Sequence, residues 1–352
     1  MIKESIQKLV ELENLTSEEA QEVMKEVMSG KATPVQIASF LTALRMKGET
    51  IEEITALATV MKEFCHQIHP KVSGRLVDTC GTGGDKVKTF NVSTAAAFVV
   101  AGAGIPVAKH GNRSVTSRSG SADVLEKLGL NLNADLRTVE RAIEEVGIGF
   151  MFAPVHHPAM KHATEPRKEI GIRTVFNILG PLTNPANAKA QLLGVYDGSL
   201  VKPLACVLKN LGCEEAMVVH GLDGLDEIST IGKTAVARLK QDEVMAMEVE
   251  PKDFGIKRAY PPDIMGTIPE ESAEIIFRIL KGLYGDGPKR DMVLVNAAAG
   301  IVVGGKAEDF SYGMELARES IYGGFAYKKL KALIKTCNGN ASKIEELESK
   351  YG

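Results

Sequence analysis

The 352-residue chain lacks an apolar run of membrane-spanning length. Its longest, 95–108, covers 14 residues and is broken by Gly102, Gly104 and Pro106, against the ~20 residues a spanning helix needs. The opening MIKESIQKLVELEN has no apolar leader core, so secretion is not expected. Cysteines are few: Cys65, Cys80, Cys206, Cys213 and Cys337 are odd in number and never in CxxC spacing. That pattern argues against a disulfide scaffold and a zinc ribbon, and a reducing cytoplasm is the expected compartment. A positive excess is missing too. With a net charge of −3, no overall basic field draws the chain to nucleic acid or to an anionic membrane, so anions must be held by a local site. No internal repeat or low-complexity tract is visible.

What is present is the composition of a globular protein, at a length that leaves room for one large domain and a small one. Residues 1–70 read as helices. Thr16-Ser17-Glu18-Glu19 and Thr50-Ile51-Glu52-Glu53 fit the capping box, and Thr33-Pro34 sets a capping hydroxyl before a proline at the first helical position. Ile37, Phe40, Leu41 and Leu44, then Ile51, Ile54, Leu57, Met61 and Phe64, recur at helical spacing. Beyond Pro70 the texture changes. Short apolar runs at 75–79, 105–109 and 216–220 alternate with glycine-rich turns and with helical patterns at 93–102 and 123–128. This alternation predicts an α/β domain, 71–352, on a largely parallel central sheet. Residues 160–185 differ again, with Pro166, Pro181 and Pro185 expected to break short helical pieces.

Four stretches carry chemistry. Asp78-Thr79-Cys80-Gly81-Thr82-Gly83-Gly84-Asp85 follows a short apolar strand, and its three glycines in four residues let amides converge on an anion. A tight strand-to-helix turn fits the same residues. The stretch completes neither a Walker A loop nor GxGxxG, whose last glycine is replaced by Lys86. Thr89-Phe90-Asn91-Val92-Ser93-Thr94 leads into an alanine-rich helix, where Ser93 or Thr94 fits as a cap and the helix N-terminus as an anion site. From Lys109 to Ser121, lysine, histidine, two arginines and several hydroxyls fall within 13 residues. A solvated basic loop is one reading; a loop folding over phosphates is the other. His220-Gly221-Leu222-Asp223-Gly224-Leu225-Asp226-Glu227-Ile228-Ser229 reads as a solvated turn or as carboxylates that hold magnesium shared with phosphates.

In this order, GTGGD, NVST, KHGNR, GSADVLE, FNILGPLTNP and HGLDGLDEIS resemble the anthranilate phosphoribosyltransferase family from about residue 3 to 335. The resemblance implies a small helical domain, 1–70, joined by about 160–185, on a larger α/β domain of the nucleoside-phosphorylase type, with a homodimer formed through the helical domains. It implies transfer of the phosphoribosyl group of 5-phosphoribosyl 1-pyrophosphate (PRPP) to anthranilate with Mg2+, as a step of tryptophan biosynthesis. Carried over by motif, Gly81, Gly84, Asp85, Thr89, Asn91, Val92, Ser93 and Thr94 line the PRPP site. Lys109, His110, Gly111, Asn112, Arg113, Ser114, Val115, Thr116 and Ser117, with Ser121, form the loop over its phosphates. Ser93, Asp226 and Glu227 take the metal, with Asp223 positioning the turn; Gly81, Asn112 and Arg167 meet anthranilate, with His110 and Gly180-Pro181 as neighbours. Thr116 and Arg118 stand where the family more often has serine and lysine, and Glu165 where an apolar residue is usual. Two other readings use the same scaffold. A pyrimidine nucleoside phosphorylase needs neither the acidic pair nor KHGNR as written, and a non-catalytic nucleic-acid binder calls for a broad basic surface and eroded motifs.

Overall fold

A computed structural model of the chain describes every residue except Asp85, residues 115–118 and Thr267. Four helices come first: α1 (Ile2–Val10), α2 (Ser17–Met28), α3 (Pro34–Lys47) and α4 (Ile51–Glu63). Thr16, Thr33 and Thr50 each cap the helix that follows, accepting from the backbone N–H of Glu19, Gln36 and Glu53, whose side chains answer by accepting from the cap N–H. Each such cap stabilises its helix by about 1 kcal/mol. Glu53 does more than cap. Its carboxylate is fully buried, accepts from Leu15 N at 2.9 Å and pairs with Lys47 at 2.8 Å, tying α4 to the loop before α2.

The larger part alternates strands and helices: β1 (Val77–Gly81), α5 (Val92–Gly102), β2 (Val107–Gly111), α6 (Ser121–Lys127), α7 (Leu136–Arg141), β3 (Ile148–Phe152) and α8 (Ala153–His156). After them come α9 (Lys161–Ile170), α10 (Phe176–Leu182), β4 (Ala190–Gly194), α11 (Val201–Asn210), β5 (Glu215–Gly221), β6 (Thr234–Lys240) and β7 (Glu243–Val249). The chain closes with α12 (Pro261–Ile264), α13 (Pro269–Leu280), α14 (Pro288–Val303), α15 (Phe310–Tyr322), α16 (Phe325–Thr336) and α17 (Ser342–Tyr351). The strands form one sheet in the order β3-β2-β1-β4-β5-β6-β7. It is parallel from β3 to β5, and the last two strands run antiparallel as a hairpin. Gln241 and Asp242, both at positive φ, make its two-residue turn, the conformation that matches strand twist.

Side chains alternate across the sheet, so each strand serves two cores. Leu192, Met217 and Val219 face α5 and the C-terminal helices, whereas Leu193, Ala216 and Val218 face α11 and the helical bundle. Ala163 of α9 and Phe176, Ile178, Leu179 and Leu182 of α10 join that second core, and α9 packs on α2 and α3. Pro166 does not break its helix as expected. It lies buried inside α9, where its ring removes one backbone donor, and the helix ends at Gly171 in a left-handed turn (φ 64°). Pro181 likewise lies within α10.

The order of the strands locates a site. From β1 the chain first builds outward through β2 to β3, then crosses to β4 on the other side and continues to β5. Strand order therefore reverses between β1 and β4, whose carboxyl-terminal residues Gly81 and Gly194 lie in register. Crevices at such a reversal, outside the carboxyl ends of parallel strands, are where ligands bind.

Candidate active site

A cleft of about 680 Å³ opens there. One wall is mostly backbone. Gly83 and Gly84 take φ of 69° and 87°, open to glycine without strain. Gly83 N donates to Asp226 Oδ2 at 2.8 Å, and Thr82 N donates to Gly194 O at 2.9 Å. At Gly81 a side chain would displace the Asp226 carboxylate, and at Gly194 it would meet backbone. A Cβ on Gly81 would lie 2.8 Å from Asp226 Oδ2, and one on Gly194 would lie 1.6 Å from the Asp226 carbonyl oxygen. The acidic turn thus seats directly on the ends of β1 and β4.

That turn is fixed by its own residues. Asp223 accepts from Leu225 N at 3.3 Å and from the Ser229 hydroxyl, so it shapes the turn. The buried Asn296 of α14 accepts from Ile228 N at 2.9 Å and donates to Ile228 O at 3.1 Å. Asp226 and Glu227, each only 8% exposed, are held at the mouth of the glycine loop. Glu227 Oε1 accepts from Ser93 N at 3.2 Å, in the first turn of α5. The expected caps Ser93 and Thr94 do not cap. The helix begins at Val92 after Asn91, with a carboxylate from a distant turn at its positive end. The Ser93 hydroxyl accepts instead from Lys109 Nζ at 3.3 Å, and the Thr94 hydroxyl is buried without a protein partner.

The stretch at the end of β2 is anchored from below. Asp78 is fully buried and accepts from His110 N at 3.3 Å and from Asn184 Nδ2 at 2.8 Å. Burial pushes its carboxyl up to about 6, against the pull of Lys109. Lys109 is buried as well, which lowers its pKa, and it donates to Thr79 O and Ser93 Oγ. Arg113 makes a bidentate pair with Glu126 at 2.8 Å and reaches Asp123 at 3.0 Å, so its charge is met by carboxylates of α6. Asn112 accepts from Arg113 N through its side chain, and its carbonyl accepts from the Ser121 hydroxyl at 3.3 Å.

Another part of the cleft lining consists of side chains. Arg167 stacks 5.0 Å over the Phe176 ring. Burial alone lowers its pKa, and no carboxylate pairs with it among the described residues. His110 and His157 lie with ring centroids 5.0 Å apart. Burial pushes His157 down to about 4 and His110 well below the usual histidine range, so both imidazoles are neutral near pH 7. His110 Nε2 is buried with no protein partner.

The described residues assigned from sequence to substrates and metal line this one cleft: Gly81, Gly84, Thr89, Asn91, Val92, Ser93, Thr94, Lys109, His110, Gly111, Asn112, Arg113, Ser114, Ser121, Arg167, Asp226 and Glu227; of the expected neighbours Gly180 lines it as well, whereas Pro181 does not, and Asp223 acts from behind, in the turn. Asp85, Val115, Thr116 and Ser117 lie outside the described residues. Sequence reasoning missed His157, Phe176, Lys161 and Met61, which line the same cleft, and Gly194 beneath it. The available signals were the histidine pair His156-His157 before Pro158 and, for Phe176, its place at the head of FNILGPLTNP.

Helical bundle, α/β sheet and reversal-point cleft define a two-domain glycosyl transferase. Residues 3–65 match the helical bundle domain of the glycosyl transferase family, and residues 73–327 match its a/b domain. Within that class the chain belongs to the anthranilate phosphoribosyltransferase family. It is 54% identical over 338 residues to the anthranilate phosphoribosyltransferase of Acetivibrio thermocellus, covering 96% of this chain and 97% of the relative. Against that of Petrotoga mobilis it is 52% identical, covering 95% and 96%. The crystal structure of the Thermus thermophilus enzyme superposes with a TM-score of 0.90 at 43% identity, over 95% of this chain and 99% of the other. The Saccharomyces cerevisiae enzyme, in complex with PRPP and Mg, superposes with a TM-score of 0.86 at 30% identity, over 96% and 98%.

Proposed function

We propose that the chain transfers the phosphoribosyl group of PRPP to the amino group of anthranilate in this cleft, giving N-(5-phosphoribosyl)anthranilate and pyrophosphate, as a step of tryptophan biosynthesis. The observation that carries the reading is the pairing of two complementary ends in one cavity. A glycine loop with an acidic pair lies at one end, and an arginine without a carboxylate partner lies at the other.

PRPP belongs on the backbone wall, with its pyrophosphate against the glycine loop and the first turn of α5. Gly81, Gly84, Thr89, Asn91, Val92, Ser93 and Thr94 contribute there, and Asn91 Oδ1 and Thr94 Oγ1 are buried without a protein partner. The β2 loop from Lys109 to Ser114, with Ser121, covers the phosphates. Among the described residues no cluster of three or more histidine, cysteine, aspartate or glutamate side chains forms a closed metal cage. Two hard-oxygen carboxylates suit Mg2+, which completes its shell with phosphates and water. Asp226 and Glu227 would hold it, with Ser93 nearby, and when bound it would neutralise charge on the pyrophosphate.

Anthranilate belongs on the side-chain wall. Arg167 receives its carboxylate, supported from behind by Phe176, while Asn112 and Gly81 fix the ring toward the ribose. The aromatic amine is uncharged at neutral pH, and low basicity makes His110 and His157 poor proton acceptors. No general base is assigned; rate comes from placing the amine against the anomeric carbon as pyrophosphate departs.

A homodimer through the helical bundle is supported by the exposed Val10, Leu12, Val35 and Met46, all on or beside α1 and α3. A cytoplasmic setting is in keeping with five unpaired cysteines. Among the described residues no helix is long and apolar enough to cross a membrane. The test is the loss of anthranilate fluorescence on mixing protein, PRPP and Mg2+. Decay that needs all three and stops with chelator is the expected result. No decay from folded protein, with uridine or thymidine cleaved by phosphate instead, would move the function to nucleoside phosphorolysis.

A further inference from the structure

The segment 258–266 lies far in sequence from every motif of the site, yet it joins the site's two halves. At one end Ala259 N donates to Thr230 O at 2.8 Å and Arg258 Nε to Ile231 O, just beyond the acidic pair Asp226-Glu227. At the other end Gly266 N donates to Lys88 O at 2.7 Å, and Met265 bridges Thr89, where the glycine loop enters α5. Between these ends Ile264 is fully buried in the main core, and Lys289 of α14 donates to Asp263 O at 2.8 Å. The segment is therefore pinned in its middle as well as at both ends. Lys88 sits at φ 55°, a left-handed conformation unfavourable for a side-chain-bearing residue, which an outside partner must hold.

From this we infer that 258–266 is a positioning strap that sets the spacing between the acidic turn and the glycine loop, with Gly266 as its indispensable contact. A Cβ on Gly266 would lie 2.2 Å from Thr89 O, 2.4 Å from Thr89 C and 2.6 Å from Phe90 N. All three are backbone atoms, so no rotamer change relieves the overlap, and strap or loop must move. Among the described residues the strap makes no hydrogen bond to Arg167, Phe176, His110 or His157. Its loss is therefore felt by one substrate only. This inference rests on the assignment of the backbone wall to PRPP.

The experiment is calorimetric binding of PRPP with Mg2+ to wild type and to Gly266→Ala, alongside KM for anthranilate. We expect PRPP affinity to fall about tenfold or more while KM for anthranilate stays within about twofold, a split that general destabilisation does not produce. A folded Gly266→Ala protein with wild-type PRPP affinity overturns the strap. If Gly266→Ala does not fold, Lys289→Met loosens the strap without a new Cβ. It should weaken PRPP binding by about two- to threefold, and unchanged affinity overturns the inference equally. Wild type that binds PRPP but does not consume anthranilate would refute the transferase reading and leave the strap to be judged on binding. Wild type that does not bind PRPP overturns both.

Discussion

The two walls of the cleft are made of different material. On the sheet side, amides of a glycine loop and of a helix first turn fix two carboxylates, and the turn that carries them sits on two strand-end glycines, of which Gly194 has no room for a methyl group. On the other side, an arginine lies over a phenylalanine, and the imidazole of His157 faces that of His110 from the end of β2. Backbone positions are coupled to everything bonded beside them, whereas a side chain can be shortened with a local loss. The first wall should therefore fail as a unit, and the second residue by residue.

The largest effect should come from the carboxylates themselves. Asp226→Asn with Glu227→Gln should cut turnover roughly 100- to 1,000-fold, since removing charge stabilisation at a departing group is costly, while thermal melting shows the fold intact. Near-normal turnover at ordinary magnesium would dissolve the distinction between the walls. Gly194→Ala asks whether the sheet side really is a unit. Its new Cβ overlaps the Asp226 carbonyl, so PRPP affinity should drop by about ten- to a hundredfold although Gly194 is outside the loop. Unaltered affinity would mean the acidic turn can be displaced freely.

A smaller effect probes the side-chain wall through pH. His157 is pushed from 6.5 to about 4 by burial, so between those values the unfolded chain takes up a proton that the folded chain refuses. Stability is full above pH 6.5 and falls as pH drops toward 4, by up to ~3 kcal/mol. His157→Phe should flatten that part of a melting-temperature profile while leaving PRPP affinity near wild type. A profile with the same slope would place the acid sensitivity elsewhere.

How much of this was legible in the sequence follows the same division. GTGGD, NVST, KHGNR and HGLDGLDEIS can be read because a backbone-built wall needs consecutive residues of restricted type, and glycine is constrained where positive φ or close approach demands it. The capping boxes at Thr16 and Thr50 were readable for the same local reason, with Thr33 and Gln36 forming a third. Phe176 and His157 were not assigned, because only the packing of α10 and of the segment after α8 brings them to the same cleft. Gly194 and Gly266 look like ordinary loop glycines until the third dimension places them against Asp226 and Thr89. Proline at position 166 misled for a complementary reason: tertiary burial sustains a helix across one missing donor. The antiparallel hairpin of β6 and β7 has a turn of Gln241 and Asp242 without glycine, and so carries no strong turn signature.

The most direct test of the two-wall account is the steady-state kinetics of Arg167→Ala with each substrate varied in turn. The account predicts that KM for anthranilate rises about tenfold or more, that KM for PRPP stays within about twofold, and that Arg167→Lys recovers part of the loss. A rise confined to PRPP, with anthranilate unaffected, would contradict the division of the cleft between a phosphate wall and a carboxylate wall.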